Sequence, residues 1–213
     1  MTEGRINIID ATPVEAAQSG HGKDANDEPT RGKNAGWHVK ADSRGNIKSI
    51  YGYSVHIGVP SHGLRANHCL AMDEDGFIHR QTVTQGNAHV STERDTLLLG
   101  DEAVLYADAA YSSQATREKL AQFGIDDQVQ RKGYWGHPLS KVDLVRNKEI
   151  AVIRSGGERP FAPYKSFYEL ARTRLMGLAK NLTLFGLAAI AHNIVKGAKF
   201  LALYGLPDPE PTE

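Results

Sequence analysis

Three acidic residues have the sequence surroundings expected of catalytic carboxylates. Asp108 directly follows a short apolar run, 104–107, which is typical of a strand buried on both faces. Asp10 follows a run of isoleucines, and Glu158 lies in a Gly- and Arg-rich segment ahead of the last predicted helix. A carboxylate at the end of a buried strand lies where loops meet the core, which is a common place for catalytic residues.

Carboxylates gathered in one place suit a hard divalent cation. Mg²⁺ takes oxygen ligands, keeps several waters and also binds the phosphate oxygens of substrates. Two such ions about 4 Å apart activate a water or a 3′-hydroxyl and stabilise the leaving oxygen of a phosphodiester. Each acid also has a simpler interpretation, because Asp108 suits a helix cap, Asp10 a turn cap and Glu158 a surface ion pair with Arg159. Their joint placement favours a shared site.

Length and charge indicate one globular domain with an uneven charge distribution. The chain has 213 residues and a net formal charge of zero. Residues 1–111 hold ten Lys and Arg against fifteen Asp and Glu, whereas residues 112–200 hold fifteen against seven. A basic C-terminal half indicates a polyanionic partner, and the alternative is an ordinary solvated surface.

The number of cysteines and the hydropathy of the sequence indicate the cellular compartment of the protein. Cys69 is the only cysteine, which excludes an internal disulfide and a cysteine-based zinc site. The first residues are polar, unlike a signal peptide. The longest apolar stretch, 182–191, is too short to span a bilayer. We expect a cytoplasmic protein with no membrane partner.

Local patterns predict alternating strands and helices. Gly124 is expected to end a helix, and the glycines and prolines between 156 and 163 are expected to interrupt the helical structure there. The stretch 182–191 is apolar nearly all round, which predicts burial. The predicted strands are 5–10, 50–59, 77–84, the run before Asp108 and 125–130; the predicted helices are 91–99, 113–123, 139–153 and 166–203.

This order predicts an α/β fold with a mixed five-stranded sheet, flanking helices and a long C-terminal helix. It fits the ribonuclease H-like arrangement, in which the first and fourth strands are parallel neighbours. Their carboxyl ends would bring Asp10 and Asp108 together. We predict a catalytic domain over residues 1–203 with a flexible loop at 18–36, followed by a disordered tail at 204–213.

Several motifs resemble the DDE transposases of bacterial insertion sequences, in the class with a Tyr-Arg-Glu-Lys signature. The resemblance covers residues 5–200, and Arg154, Glu158 and Lys165 keep the spacing of the signature. The matching motifs are IIDAT at 8–12, YGYSVHI at 51–57, VTQGNAH at 83–89, LYADAAY at 105–111, IRSGGERPFAPYK at 153–165 and LARTRLMGLAKN at 170–181.

The chain also departs from the family pattern. Ala151 stands where the signature has tyrosine, Ser54 replaces a common lysine, and Val90 replaces a common aspartate. Family members usually carry an N-terminal region before the first acid, and here nine residues precede it. The chain therefore resembles a catalytic core without its recognition module.

The resemblance implies roles for particular residues. Asp10, Asp108 and Glu158 would hold two Mg²⁺ or Mn²⁺ ions, and Arg154 and Lys165 would contact DNA phosphates. Further candidate phosphate contacts, each also explained by a solvated surface, are Arg131, Lys132, Arg172, Arg174 and Lys180. Trp135 suits either stacking on a base or a place in the core, and we favour the core. His56 and His89 lie in the matching motifs without the spacing of metal ligands, and most histidines are interpreted as structural or surface residues.

The function that these features predict is metal-dependent DNA strand cleavage and transfer in transposition. The expected partners are insertion-sequence ends, target DNA and a second copy of the chain. The alternative is an inactive, truncated transposase that only binds DNA or a full-length partner. A ribonuclease H-like nuclease of another family is a weaker third possibility, because the Arg-Glu-Lys spacing favours transposases.

Overall fold

The structure is a computed structural model that describes residues 5–17, 22, 32, 34–41, 46–61 and 76–204, within which six strands form one mixed sheet. The strands are β1 (Arg5–Glu15), β2 (Gly36–Ala41), β3 (Ile47–Ser61), β4 (Arg80–Gln85), β5 (Glu102–Ala107) and β6 (Asp126–Val129). The helices are α1 (Arg94–Leu97), α2 (Gln114–Gln122), α3 (Lys141–Glu158), α4 (Phe161–Ser166) and α5 (Leu178–Tyr204). Most of the loop predicted at 18–36, and the tail beyond residue 204, lie outside the described residues.

The strand order is β2-β3-β1-β5-β6, and β4 also pairs with β3. The long strand β3 pairs with β1 along one edge, while β2 and β4 share its other edge. The prediction of a mixed α/β sheet with flanking helices is confirmed, and it is compatible with the ribonuclease H-like arrangement. The predicted strand number is too low by one, because the short strand β2 depends on pairing with β3.

Strands β1 and β5 are parallel neighbours, as the element order predicts. Strand β1 runs to Glu15, so the prediction that it ends at Asp10 is wrong. Its second half is held by antiparallel pairing with β3, where Asp10 faces Ile57 and Val14 faces Tyr53. The parallel pairing with β5 nevertheless stops at Ile8, before Asp10.

Two helices begin at clear sequence signals. Helix α2 begins after Ser113, whose side chain accepts a hydrogen bond from the backbone N–H of Thr116, and Gly124 follows it with a φ of +69°. Helix α3 begins with a capping box between Ser140 and Asp143. It then continues through Gly156 and Gly157 to Glu158, so the predicted interruption at these glycines is wrong.

The long C-terminal helix is shorter than predicted. The backbone leaves the helical path after Ser166, and α5 begins only at Leu178. Between them, the chain pairs with the end of β1, since Thr173 N–H donates to the Glu15 carbonyl and Glu15 N–H donates to the Ala171 carbonyl. These hydrogen bonds take backbone groups that a continuous helix would have used.

The helices cover both faces of the sheet. On one face, Ile9 packs with Leu105, Tyr111 and Leu120 beneath α1 and α2. On the other face, residues of β3 and β4 pack with α4 and α5 around Tyr164. Because side chains alternate along a strand, Asp10 points to the opposite face from Ile9, toward α3.

Helix α5 is only partly buried, so the predicted burial of 182–191 is wrong for most of its large side chains. Phe185 is fully buried and packs 5.9 Å from the ring of Tyr164, whereas Leu187 and Ile190 are exposed. Over Leu178–Leu203 the helix is long and apolar enough to cross a membrane by length and composition, with 22% of the most apolar window buried. One such helix is weak evidence for a membrane span.

Candidate active site

The register of the parallel pair places two of the predicted acids at one edge of the sheet. Ile8 of β1 is paired with Tyr106 of β5, and this is the last pair between the two strands. Asp10 lies two residues beyond Ile8, and Asp108 lies two residues beyond Tyr106. Asp108 precedes a short 3-10 turn, but its side chain makes no capping hydrogen bond. The carboxylate is therefore not occupied by the simpler role of a cap.

Helix α3 carries the third acid to the same edge. Gly157 packs so closely on β1 that a Cβ there would lie 2.6 Å from Cγ2 of Ile8. The same Cβ would lie 3.9 Å from the Cβ of Asp10. The missing side chain lets the last turn of the helix approach the strand, and Glu158 is the next residue.

The three acids line one open cleft of about 450 Å³, which we call the acidic cleft. Helix α4 contributes Lys165 to its wall, after a short break in the helical path at Arg159 and Pro160. The residues that border the acidic cleft are Asp10, Ala11, Thr12, Pro13, Lys40, Asp108, Arg154, Glu158, Phe161, Ala162 and Lys165.

Arg154 bridges two of the three acids. Its Nη1 atom lies 3.3 Å from Oδ1 of Asp10, and its Nη2 atom donates to Oε1 of Glu158 at 2.8 Å. The Asp10 contact is the more buried of the two, because the Glu158 side chain is 55% exposed. Glu158 thus pairs with the arginine one turn earlier in α3, where the sequence suggested Arg159.

Asp10 is buried with few hydrogen bonds. Its Oδ1 accepts the N–H of Ala11 at 2.9 Å, and the residue is 8% exposed. Burial raises the pKa of Asp10 from 3.8 to about 6, although the Arg154 charge and the Ala11 hydrogen bond act in the opposite direction. The negative charges of Glu158 and Asp108 also raise this pKa. The fold therefore disfavours the ionised form of Asp10 unless another cation binds beside it.

The acidic cleft contains the type of ligand atom that a divalent cation prefers. Carboxylate oxygens are the ligands that Mg²⁺ and Mn²⁺ prefer. Burial raises the pKa of the Tyr111 hydroxyl, and the nearby charges of Asp10 and Asp108 raise it further. This hydroxyl has no hydrogen-bond partner among the described residues. In the described part of the chain, no three His, Cys, Asp or Glu side chains are close enough together to hold a metal ion. The Arg154 guanidinium supplies positive charge between two of the acids instead.

Comparison with known proteins identifies the family. The model of the transposase DDE domain matches residues 2–194. The chain belongs to this family.

A curated relative agrees with this assignment. The transposase for insertion sequence element IS1106 of Neisseria meningitidis serogroup B is 28% identical over 132 residues. The match covers 61% of this chain and 46% of the relative, so the chain spans about half the length of that protein. No solved structure matches the chain.

The other basic residues that the sequence singled out do not line the acidic cleft of this DDE domain. Arg131 pairs with Asp127 at 3.1 Å near the end of β6, and Lys132 is exposed beside it. Arg172 borders a neighbouring groove. Arg174 is exposed before the start of α5, and Lys180 is exposed in the first turn of this helix.

The aromatic and histidine predictions have mixed outcomes. Trp135 is fully exposed in a turn between Tyr134 and His137, so the preference for a place in the core is wrong. His56 is buried, and its Nε2 lies 2.9 Å from the Thr84 hydroxyl. His89 caps the 3-10 turn that follows it by accepting the N–H of Ser91. Both histidines therefore make hydrogen bonds within the fold of the DDE domain.

Sequence reasoning missed two residues beside the acids. Lys40 borders the acidic cleft from β2, a strand that was not predicted. Tyr111 was not singled out, although it is buried and lies near enough to Asp10 and Asp108 for their charges to raise its pKa further than burial alone. An aromatic residue three positions after a strand-end acid was the available signal for Tyr111. Lys40 gave none, because its position depends on the pairing of β2 with β3.

Proposed function

We propose that this chain is the catalytic core of an insertion-sequence transposase that cleaves DNA strands and joins them to target DNA. The observation that carries the proposal is the convergence of Asp10, Asp108 and Glu158 on one cleft. Family membership supports a nuclease and strand-transfer role in general, and the curated relative is itself named as a transposase. The Arg-Glu-Lys spacing in α3 and α4 supports the class with the Tyr-Arg-Glu-Lys signature, with Ala151 at the tyrosine position.

The acids are proposed to hold two Mg²⁺ or Mn²⁺ ions, which would activate the attacking oxygen and stabilise the leaving one. Water first attacks a phosphodiester, and the broken P–O bond leaves a free 3′-hydroxyl. That hydroxyl then attacks a phosphodiester of the target, forming a new P–O bond and releasing a target 3′-hydroxyl. The same cleft can serve both steps, because each is a displacement at phosphorus by an oxygen nucleophile.

Basic residues at the rim position the DNA backbone in this proposal. Arg154 and Lys165 border the acidic cleft and would neutralise phosphates beside the scissile bond. Arg154 needs to release Asp10 or Glu158 to do so, and its partners are then free to meet a cation. A second copy of the chain would hold the other DNA end, as the resemblance implies.

Nicking and strand joining test the proposal. The protein is incubated with Mg²⁺ or Mn²⁺, a labelled fragment that carries the inverted repeat, and a supercoiled target plasmid. The expected result is nicked and joined product from the wild type and from Glu118→Gln, an exposed surface control, and none from Asp108→Asn. Nicking without joining indicates a plain nuclease. DNA binding without either product indicates an inactive DNA-binding remnant, and both results overturn the proposal.

A further inference from the structure

A larger groove continues from the acidic cleft. It has a volume of about 730 Å³ and lies between the β2–β3 hairpin, the end of β1 and the segment around Arg172. We call it the Trp37 groove; its borders are Pro13, Glu15, Ala16, Trp37, His38, Lys40, Lys48, Ser49, Ile50, Tyr51, Lys165, Ala171 and Arg172. It shares Pro13, Lys40 and Lys165 with the acidic cleft, so a chain leaving one can enter the other directly.

The hairpin side of the Trp37 groove places two like charges directly opposite each other. Lys40 of β2 is the cross-strand partner of Lys48 of β3, and both side chains are exposed. Like charges in such a pair destabilise a hairpin unless something of opposite charge lies between them. Among the described residues that border the groove, Glu15 is the acid, and it lies beside Arg172 with a closest distance of 3.8 Å. The balance of charge therefore favours an anionic ligand.

An aromatic ring in the same groove is held in place from behind. Trp37 is 38% exposed, and its ring packs 5.2 Å from the ring of Tyr51 at an angle of 54°. Tyr51 is itself buried and donates its hydroxyl hydrogen to the Gly32 carbonyl. A ring supported in this way loses little conformational freedom when a ligand stacks on it.

We propose that the Trp37 groove binds an unpaired segment of the DNA strand that leaves the acidic cleft. Trp37 and Lys40 leave opposite faces of β2, which is the last strand in the sheet order, so the segment passes over the edge of this strand. Lys40 and Lys48 contact its phosphates, and one base stacks on Trp37. The combination of a basic groove and an aromatic platform suits single strands, because the face of a base inside a duplex is not accessible. The inference rests on the proposed function for its substrate, DNA, but it does not depend on catalysis.

The two tryptophans of the chain allow a direct test. Trp135→Phe leaves Trp37 as the fluorophore, and Trp37→Phe leaves the fully exposed Trp135 as the matched control. Each variant is titrated with a short oligothymidylate in EDTA, where metal-dependent cleavage does not occur. The expected result is that fluorescence falls by more than half when Trp37 remains, and changes little when Trp135 remains.

Charge variants test the phosphate contacts separately. Lys48→Gln is expected to weaken oligothymidylate binding about fivefold and to reduce the salt dependence by about 0.7 in slope, the value for one lost phosphate contact on a single strand. Lys199→Gln changes an exposed lysine of α5 outside the groove and should leave binding unchanged. Lys48→Glu creates an attractive pair with Lys40, so it should raise the melting temperature while weakening binding further, which separates lost contacts from misfolding.

Several results would overturn the inference. These are no change in Trp37 fluorescence, an equal change with a duplex of the same length, or an equal change with polyglutamate. Strand cleavage without a Trp37 response would reject the groove and leave the proposed function standing. A Trp37 response without cleavage in Mg²⁺ or Mn²⁺ would support the groove and reject the catalytic proposal.

Discussion

Two buried carboxylates lie at opposite ends of the parallel pair β1 and β5, and their surroundings differ. Glu102, at the start of β5, is 7% exposed and accepts hydrogen bonds from Asn7 Nδ2 at 2.9 Å, from Gly100 N–H at 2.8 Å and from Leu99 N–H. Asp10, beyond the other end, is 8% exposed and, among the residues that the structure describes, accepts one backbone hydrogen bond besides its contact with Arg154.

The difference distinguishes an acid whose hydrogen bonds the fold satisfies from one that we propose to be functional. A buried carboxylate with several donors is stable as an anion, because these hydrogen bonds replace the lost water. A buried carboxylate with few donors retains the capacity to bind something else, and its raised pKa records the cost of charging it. Glu102 and Asp10 are therefore equally buried but differ in how well the fold satisfies their carboxylates.

The largest effect is expected from Asp10→Asn. Loss of a ligand of the proposed metal ions should remove several kcal/mol of transition-state stabilisation, which is at least about a 10³-fold loss of strand cleavage. Stability should change in the opposite direction. The folded pKa of about 6 exceeds the ordinary 3.8, so the stability that Asp10 contributes is present below pH 3.8 and is lost as the pH rises through 6.

The stability half of this prediction is measured by urea unfolding in metal-free buffer at pH 7.5. The asparagine side chain that Asp10→Asn introduces cannot ionise, so the variant should be more stable than the wild type by about 1–3 kcal/mol. A variant that is both inactive and less stable would place Asp10 with the structural acids.

Glu102→Ala should show the reverse pattern. It leaves Asn7 Nδ2 and the N–H groups of Leu99 and Gly100 without their acceptor, and should lower the free energy of unfolding by about 2–4 kcal/mol. The cleavage rate per folded molecule should stay near that of the wild type, because this end of the strands is far from the acidic cleft. The surface variant Glu118→Ala should change stability by less than about 0.5 kcal/mol. Loss of cleavage by fully folded Glu102→Ala would contradict the conclusion that Glu102 acts only in the stability of the fold.

His56 supplies a second buried titratable group, with an opposite pH dependence. Burial lowers the pKa of His56 from 6.5 to about 4, so the unfolded chain takes up a proton at a higher pH than the folded one. Its contribution to stability is present above pH 6.5 and is lost as the pH falls through 4, by up to about 3 kcal/mol. Urea unfolding at pH 4.5 and 7.5 should therefore show a smaller loss on acidification for His56→Gln than for the wild type. An equal loss would mean that His56 is accessible to protons in the folded protein.

The smallest of these effects tests how α3 delivers Glu158. Gly157→Ala forces a Cβ against Ile8 at 2.6 Å and should cost about 1–3 kcal/mol of stability, with reduced cleavage as Glu158 moves away. Gly156→Ala is the matched control, because its Cβ would meet Ile8 at an ordinary 3.6 Å and alanine favours a helix. Equal stability and activity of the two variants would show that close packing of α3 on β1 is not required.

The sequence predicted the parts of the fold that local signals determine. The apolar run before Asp108, the helix that begins near Ser113 and the glycine that follows it all depend on signals within a few residues, and the structure contains each of them. Element order also predicted the parallel neighbours that bring Asp10 and Asp108 to one edge. That the three acids form a metal site remains a prediction.

Features that depend on distant partners were not predictable in this way. Strand β2 exists through its pairing with β3, so Lys40 and Trp37 could not be placed beside the acids. Helix α3 continues through two glycines that normally weaken helices, because Gly157 packs directly on Ile8. The exposure of Leu187 and Ile190 depends on which stripe of α5 meets the sheet, and an all-round apolar helix does not specify it.

Binding of Mn²⁺ tests most directly the central claim that the under-satisfied acids of the cleft hold a divalent cation. Titration calorimetry compares the wild type with Asp10→Asn, Asp108→Asn and the surface control Glu118→Gln at pH 7.5. We predict binding by the wild type and the control, with affinity at least about tenfold lower in each cleft variant. Unchanged Mn²⁺ affinity in both cleft variants, or no binding by the wild type, would contradict the claim.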